Sequence, residues 1–551
     1  MSTAAEDVAK NLKMLGVRQV FTLCADQTNG LLNALAAEDI RIVGTRHESA
    51  AVLMADGWSR ATGEIGVAIV GGGPGFVNSV TGFAVAQSAA TPVVVISGIP
   101  PVHTRERNGH QILYQADIVR SLTKWSQEVV HSDIAGEFLW RGCAIAAAGK
   151  PGPVNLSIPV GVLDGDASGS VYKAVPARER ATSQEKDGER EISRASTLLN
   201  EARRPIIIVG GGAWWELGGT VLRDLVQKLE IPVFTTELAR GLIADDGTLC
   251  FGYAHPSFNR TFQEIRSADL LLLVGTEINL HTGNPEKSLL ARDAKIIQLH
   301  RDPAQIGIGR ATDAALLGSL EYSLAQLADA IGLSTATHRK QWLDHIRSVY
   351  AGHRSQWKEL VKQIGKDESS IHPLLICESL QRHYSEAIRV VIDGGDFVHW
   401  PRLYFEAKSP GYWMDGAEIG ALGASLPVGI GAQLGRPAKQ TWVFLGDGGF
   451  GFYGFDLSTA VQNNLALKVI VGNDRCWGVE RRLQRARYGS TVATDLPDID
   501  YGALARTLGA RGLSVSDPRC LDEAVDELVS SDGPCVLNIA ISPDAGRPTM
   551  N

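Results

Sequence analysis

The strongest chemical signal in this 551-residue chain is a pair of polar residues that end two apolar runs. The stretch WVFLGDGGFGFYGFDLSTAVQNNLALKVIVGNDRCWG opens as a strand and turns at Gly446-Asp447-Gly448-Gly449. It continues as a helix and ends a second strand at Asn473-Asp474. Asp447 and Asn473 are 26 residues apart, the size of a unit that returns the second strand parallel to the first. Both side chains then share one carboxyl edge. An Asp carboxylate and an Asn amide oxygen are hard ligands. Mg²⁺ takes one or two such groups and draws the rest of its shell from phosphates and water. The neighbouring glycines present N–H groups to the same phosphates. Alone, Asp447 reads as a helix cap and Asn473 as a strand end; together they point to a Mg²⁺-diphosphate.

A second candidate is Glu48, which follows the short strand IRIVGT. It opens a helix whose apolar stripe is Ala51, Met54, Ala55 and Trp58. An acid in a first helical turn is ordinary, because it complements the helix dipole. Glu48 therefore gains meaning only from its surroundings.

The elements that must position these residues repeat along the chain. Apolar runs of strand length (GVAIVGG, PVVVISG, PIIIVGGG, DLLLLVG, VVIDGG, LKVIVGND) alternate with helical patterns. Continuous apolar strands suit parallel sheets covered on both faces. The expected fold is α/β, with three doubly wound parallel-sheet domains. Polar, charged stretches at 164–191 and 363–373 read as linkers. The expected domains are 1–165, 190–335 and 365–551, the last ending in a loop-like tail at 542–551 that could close over a ligand.

Composition narrows the function classes. Hydrophobic residues make up 44% of the chain and charged residues 21%, with 53 basic against 61 acidic side chains. A net charge of −8 argues against nucleic acid or an anionic membrane as partner. Seven scattered cysteines form no CxxC pair, which suits reduced thiols rather than a disulfide scaffold or a zinc module. The N-terminus reads as an amphipathic helix and not a secretory signal, and no apolar span is long enough to cross a bilayer. A cytoplasmic enzyme is the expectation.

The Gly446–Asn473 unit resembles the diphosphate-binding motif of thiamine-diphosphate enzymes, with Asp474 departing from that motif's usual second Asn. The stretch around Arg46-His47-Glu48, Ala55-Asp56-Gly57, Arg60, Gly73-Pro74-Gly75 and Asn78 resembles the pyrimidine-binding domain of the family's acetolactate synthase branch. The resemblance runs along nearly the whole chain in order: pyrimidine, central and diphosphate domains. It implies thiamine diphosphate and Mg²⁺ as cofactors, with Asp447, Asn473 and the carbonyl of Arg475 on the metal. It implies that Glu48 hydrogen-bonds an aminopyrimidine nitrogen, which helps ionise the thiazolium C2 carbon. It further assigns cofactor contacts to Pro74, Asn78, Gly395, Asp396, Gly420, Gly446, Gly448, Gly449, Trp477 and Gly478. Leu422, in MDGAEIGALGASLPVGIG, becomes the wedge between the two cofactor rings. Gln111 aligns with a synthase Gln, but its neighbours His110 and Ile112 do not, so the substrate side differs. His110 could donate to a developing alkoxide, although a lone His is more often structural. A working unit in this family is a homodimer, usually paired into a tetramer, with active sites at the subunit interface.

Within the superfamily the chain is most similar to the 2-hydroxyacyl-CoA lyase (2-hydroxyisobutyryl-CoA lyase type) and oxalyl-CoA decarboxylase branch. The implied reaction cleaves a 2-hydroxyacyl-CoA to formyl-CoA and an aldehyde or ketone. An acyl-CoA substrate gives the central turn Gly210-Gly211-Gly212 a ligand: ADP, or the ADP part of coenzyme A. The arginines at 475, 481, 482, 485 and 487 suit phosphate recognition, or equally a solvated helix face. Ala493, apolar among polar neighbours in STVATDLPDIDY, stands where a carboxylate could take the hydroxyl proton. A carboligase or decarboxylase of 2-oxo acids would share every cofactor residue. A nucleotide-binding oxidoreductase is a rival of another class. Against it, GGGAWW lacks the third Gly of GxGxxG and no acidic residue is clearly placed for a ribose.

Overall fold

A computed structural model describes residues 2–169, 188–216, 220–278, 289–331, 336–364, 370–416 and 418–546. Much of the two expected linkers and the end of the tail (547–551) lie outside the described residues.

Three six-stranded sheets account for the strands, and every ladder pairing is parallel. The first runs, in spatial order, Arg41–Gly44, Gln19–Thr22, Gly66–Val70, Val93–Ile99, Val154–Pro159 and Trp125–Glu128. The third repeats that order with Trp413–Asp415, Ile388–Ile392, Gln440–Gly446, Leu467–Asn473, Cys535–Ala540 and Arg511–Val515. The middle sheet differs. Numbered along the chain its strands lie 6-5-4-1-2-3, the doubly wound order in which the first and fourth strands flank a switch point. The inner strands, such as Leu270–Val274, are buried on both faces, as continuous Leu, Ile and Val runs require.

The first and third sheets each cover one face with a core of their own and share a core on the other. One apolar cluster runs from Phe21, Met54 and Phe83 through Val428 and Ile430 to Leu445 and Val471. Its centre is a crossing of two helices, Glu48–Thr62 and Ser425–Gly435. A Cβ on Gly57 would lie 2.0 Å from the Val428 carbonyl oxygen, and one on Gly431 would lie 2.0 Å from that of Met54. The two backbones touch, which only glycine permits. The stripe read on helix Glu48–Thr62 is therefore an underestimate: residues Glu48 to Ala61 are all buried.

Candidate active site

Sheet register explains how two distant residues meet. Strand Gln440–Gly446 pairs with Leu467–Asn473, with Gly446 opposite Gly472. Asp447 begins the next helix, Asp447–Tyr453, and Asn473 ends the neighbouring strand, so both occupy one carboxyl edge. Asp447 is 2% exposed, and its Oδ2 is buried without a hydrogen-bond partner. Burial and the facing Asp474 carboxylate push its pKa up to about 7. The Asn473 amide donates to the Ile499 carbonyl at 3.0 Å and to Asn538 Oδ1 at 3.2 Å, while its own Oδ1 accepts from the Arg475 N–H at 3.3 Å. That leaves Asn473 Oδ1 a second lone pair. Arg475 has φ 56°, an unusual backbone turn for a non-glycine residue.

A buried carboxylate faced by a second, half-buried one is costly unless a cation joins them. The donor set fits Mg²⁺: one orphaned carboxylate oxygen, one amide oxygen and a strained turn at Arg475. Among the described residues no group of three or more His, Cys, Asp or Glu could hold a metal alone. A metal here would complete its shell from phosphate and water. Space for the phosphates is present. Gly395 (φ 109°) and Gly420 (φ 78°) each have nothing within 4 Å of a hypothetical Cβ. By contrast, Gly448 is covered by the Trp477 ring, 2.4 Å from such a Cβ, and Gly478 lies against Asp474. Asp396 is buried and paired with Arg482 at 2.9 Å.

Glu48 is the first residue of its helix, 9% exposed. Its Oε2 accepts from the Asn78 amide at 3.1 Å, and its Oε1 would lie 3.0 Å from a Cβ on Gly75. Pro74 is at the first position of the short helix Pro74–Asn78. Gln111, at φ 61°, packs on Gly73 and accepts from Gln27 at 3.0 Å. His110 is exposed. Glu48, Pro74, Asn78 and Gln111 thus gather at the carboxyl edge of the first sheet. The Asp447 group gathers at that of the third. Among the described residues no hydrogen bond or ion pair joins Glu48 to the Asp447 group. Within one chain, the Glu48 helix start meets the far end of helix Asp447–Tyr453, where the His47 and Tyr453 rings lie 5.7 Å apart.

Other expected residues scatter. Leu422 is half-buried on the turn between Gly420 and Gly423. The arginines beyond Arg475 lie on helix Gly478–Tyr488, which buries none of its residues. They are largely answered by acids: Arg475 by Asp498, Arg481 by Asp495 and Arg485 by Asp544. Ala493 has φ 55°, next to Thr494, whose carbonyl accepts from the Trp477 N–H at 2.8 Å.

Sequence reading missed two acids. One is Asp393, which directly follows strand Ile388–Ile392. Glu237 lies just past the end of the second central strand, Val233–Thr235, where an acid can meet a ribose. It lines a cavity of about 350 Å³ between all three sheets, together with Lys150, Gly211, Tyr253, His300 and Ile419. The central glycines are not open in the way Gly395 is. Hypothetical Cβ atoms on Gly210 and Gly212 would meet Thr276 and Gly275 at 2.3 and 2.8 Å.

All three sheets match family descriptions. Residues 2–118 match the N-terminal TPP binding domain of thiamine pyrophosphate enzymes, 192–327 the central domain and 393–539 the C-terminal TPP binding domain. The chain belongs to the thiamine pyrophosphate enzyme family. It is 29% identical to a probable acetolactate synthase of Mycobacterium bovis, covering 98% of this chain and 96% of that one. It is also 29% identical to human 2-hydroxyacyl-CoA lyase 2, covering 97% and 89%. A probable acetolactate synthase large subunit of Methanocaldococcus jannaschii is 26% identical over 99% and 93%. The chain is thus a thiamine-diphosphate-dependent enzyme similar to both synthases and lyases. No helix among the described residues is long and apolar enough to cross a membrane.

Proposed function

We propose that this enzyme cleaves a 2-hydroxyacyl-CoA to formyl-CoA and an aldehyde or ketone, and catalyses the reverse acyloin-type condensation. The carrying observation is the cavity between the three sheets. It extends from Gly211, at the switch point of the central sheet, and Glu237, past its second strand, to Asp415 and Ile419, beside the Gly420–Gly423 turn. A small 2-oxo acid has no use for such a reach, whereas an acyl-CoA must place its nucleotide end away from the reacting carbon. The central cavity would receive ADP or the ADP part of coenzyme A.

In this reading Asp447, Asn473 Oδ1 and the Arg475 carbonyl hold Mg²⁺. Backbone groups at Gly395, Gly420, Gly446, Gly448 and Gly449 cradle the diphosphate, with Asp396, Trp477 and Gly478 closing its edge. Leu422 separates the two rings, and Pro74 and Asn78 flank the pyrimidine. When bound, thiamine diphosphate supplies a nucleophilic carbon. Glu48 holds the aminopyrimidine nitrogen through the oxygen that Asn78 does not occupy. Gln111 and His110 stand on the substrate side. The base for the 2-hydroxyl proton is unassigned; a carboxylate at position 493 would suit it, so Ala493→Glu should raise the cleavage rate. The Glu48 group and the Asp447 group occupy different edges, which favours a homodimer or homotetramer in which one protomer's Glu48 serves its partner's Asp447. Exposed Phe452, on helix Asp447–Tyr453, and exposed Phe455, just after it, suit that contact.

The test is mass spectrometry of small molecules released from purified protein, followed by a panel of 2-hydroxyacyl-CoA thioesters. Formyl-CoA formation supports the reading. Pyruvate consumption without thioester cleavage would transfer the enzyme to the carboligases, which its synthase relatives favour equally on identity.

A further inference from the structure

We infer that Asp393 is a positioning residue: its buried carboxylate clamps the turn that carries Leu422 to the start of the diphosphate helix. This rests on the cofactor placement proposed above and adds a residue to it.

Asp393 directly follows strand Ile388–Ile392 and is fully buried. Its backbone N–H donates to the Phe444 carbonyl at 3.0 Å, which fixes it beside the strand leading to Asp447. Its Oδ2 accepts from the Gly423 N–H at 2.8 Å, and its Oδ1 from the Ser425 N–H at 3.4 Å. On the other side it meets Gly449, where a Cβ would lie 2.5 Å from Oδ2. Gly423 (φ 79°) is itself pressed on that helix, since its Cβ would lie 2.4 Å from the Gly449 carbonyl oxygen. One carboxylate thus sits between the Leu422 turn and the first turn of helix Asp447–Tyr453.

The need for it is local. Helix Ser425–Gly435 starts after Ala424, which has no side chain able to cap it. Helix starts leave N–H groups without partners, and an Asp, Asn, Ser or Thr at the cap usually answers one of them. Here Asp393 answers from another strand, and the helix dipole favours its charge. No ion pair to Asp393 occurs among the described residues, and burial pushes its pKa up to about 7. A buried carboxylate held by backbone N–H groups is retained for geometry rather than for stability. What it fixes is the height of Leu422 over the Gly448-Gly449 turn, which is the separation between the two cofactor rings and the diphosphate.

The test compares wild type, Asp393→Ala and Asp393→Asn in the full-length protein. Thiamine diphosphate affinity with Mg²⁺ is measured by calorimetry, and amide exchange of the 420–426 segment by mass spectrometry. Both variants should lose cofactor affinity by about tenfold or more, the usual result of unpairing buried donors, and exchange at Gly423 and Ser425 should accelerate. Wild-type affinity and protection in either folded variant would overturn the inference. In wild type freed of cofactor, the same two amides should remain protected. Free exchange there overturns the clamp even if both variants fail to fold. A wild-type protein that binds no thiamine diphosphate would instead refute the cofactor placement, with the amide result still readable.

Discussion

The first and third domains share one strand order and an apolar core between them, yet their carboxyl edges are chemical opposites. Among the described residues the first carries one buried acid, Glu48, answered by the neutral amide of Asn78. The third crowds Asp393, Asp396, Asp447 and Asp474 together. A lone carboxylate with one free oxygen suits a weakly basic ring nitrogen. A crowd of acids, three of them buried, suits a divalent cation and its phosphates. Repeating a topology therefore supplies two equivalent crevices, and the few residues at each strand end decide which half of a ligand each takes.

The sharpest way to break this contrast is Glu48→Gln. If the first edge acts through a proton, turnover should fall on the order of 10²–10⁴-fold, the usual worth of a positioned acid or base. Cofactor affinity should hardly change. Equal loss of binding and rate would make Glu48 another anchor and erase the difference between the edges. At the other edge, Asp447→Ala should cost about 3–5 kcal/mol of cofactor affinity, as removal of one member of a buried charge pair does. Chelation of wild type should release the cofactor likewise, and Mg²⁺ with thiamine diphosphate should restore it; calorimetry reads both.

The shared core can be challenged at the helix crossing. Gly431→Val places side-chain atoms where Met54's carbonyl stands and should destabilise the fold by about 1–3 kcal/mol or more, measured by chemical denaturation. The smallest effect concerns Asp456, which ties the domains by accepting from the Arg46 N–H at 2.9 Å. Burial pushes it up to about 6 from 3.8. A carboxyl with a raised folded-state pKa binds its proton more tightly when folded. Its contribution to stability is therefore greatest at low pH and is lost as pH rises through about 4 to 6. Between pH 7 and pH 5 wild type should gain about 1 kcal/mol from this group, and Asp456→Asn should lack that gain in thermal melts.

The meeting of Asp447 and Asn473 at one edge was legible because both lie in one strand–helix–strand unit, where 26 residues and two apolar runs suffice to place both ends. Glu48 needed the family resemblance, since an acid opening a helix is ordinary. Asp393 and Glu237 were not legible as site residues. Each acts on a segment far along the chain: Asp393 on Gly423 and Ser425, and Glu237 on Arg402 at 3.0 Å. The Gly210–Gly212 turn is mixed: the space beside Gly210 and Gly212 is taken by Thr276 and Gly275, while Gly211 and Gly212 also line the central cavity. A glycine that admits a ligand and one that admits its own backbone look alike in one dimension.

Periodicity and apolar runs by themselves determine that this chain makes parallel sheets, since an uninterrupted β-branched strand must be covered on both faces. They also place chemistry at strand ends. Only the tertiary structure decides that the outer domains share a core between them and that Asp393 caps a helix from another strand. It alone decides that a cavity between the three sheets reaches Ile419, close to the Leu422 turn. Those facts depend on contacts between residues hundreds of positions apart, whose closeness is a property of packing and leaves no local pattern.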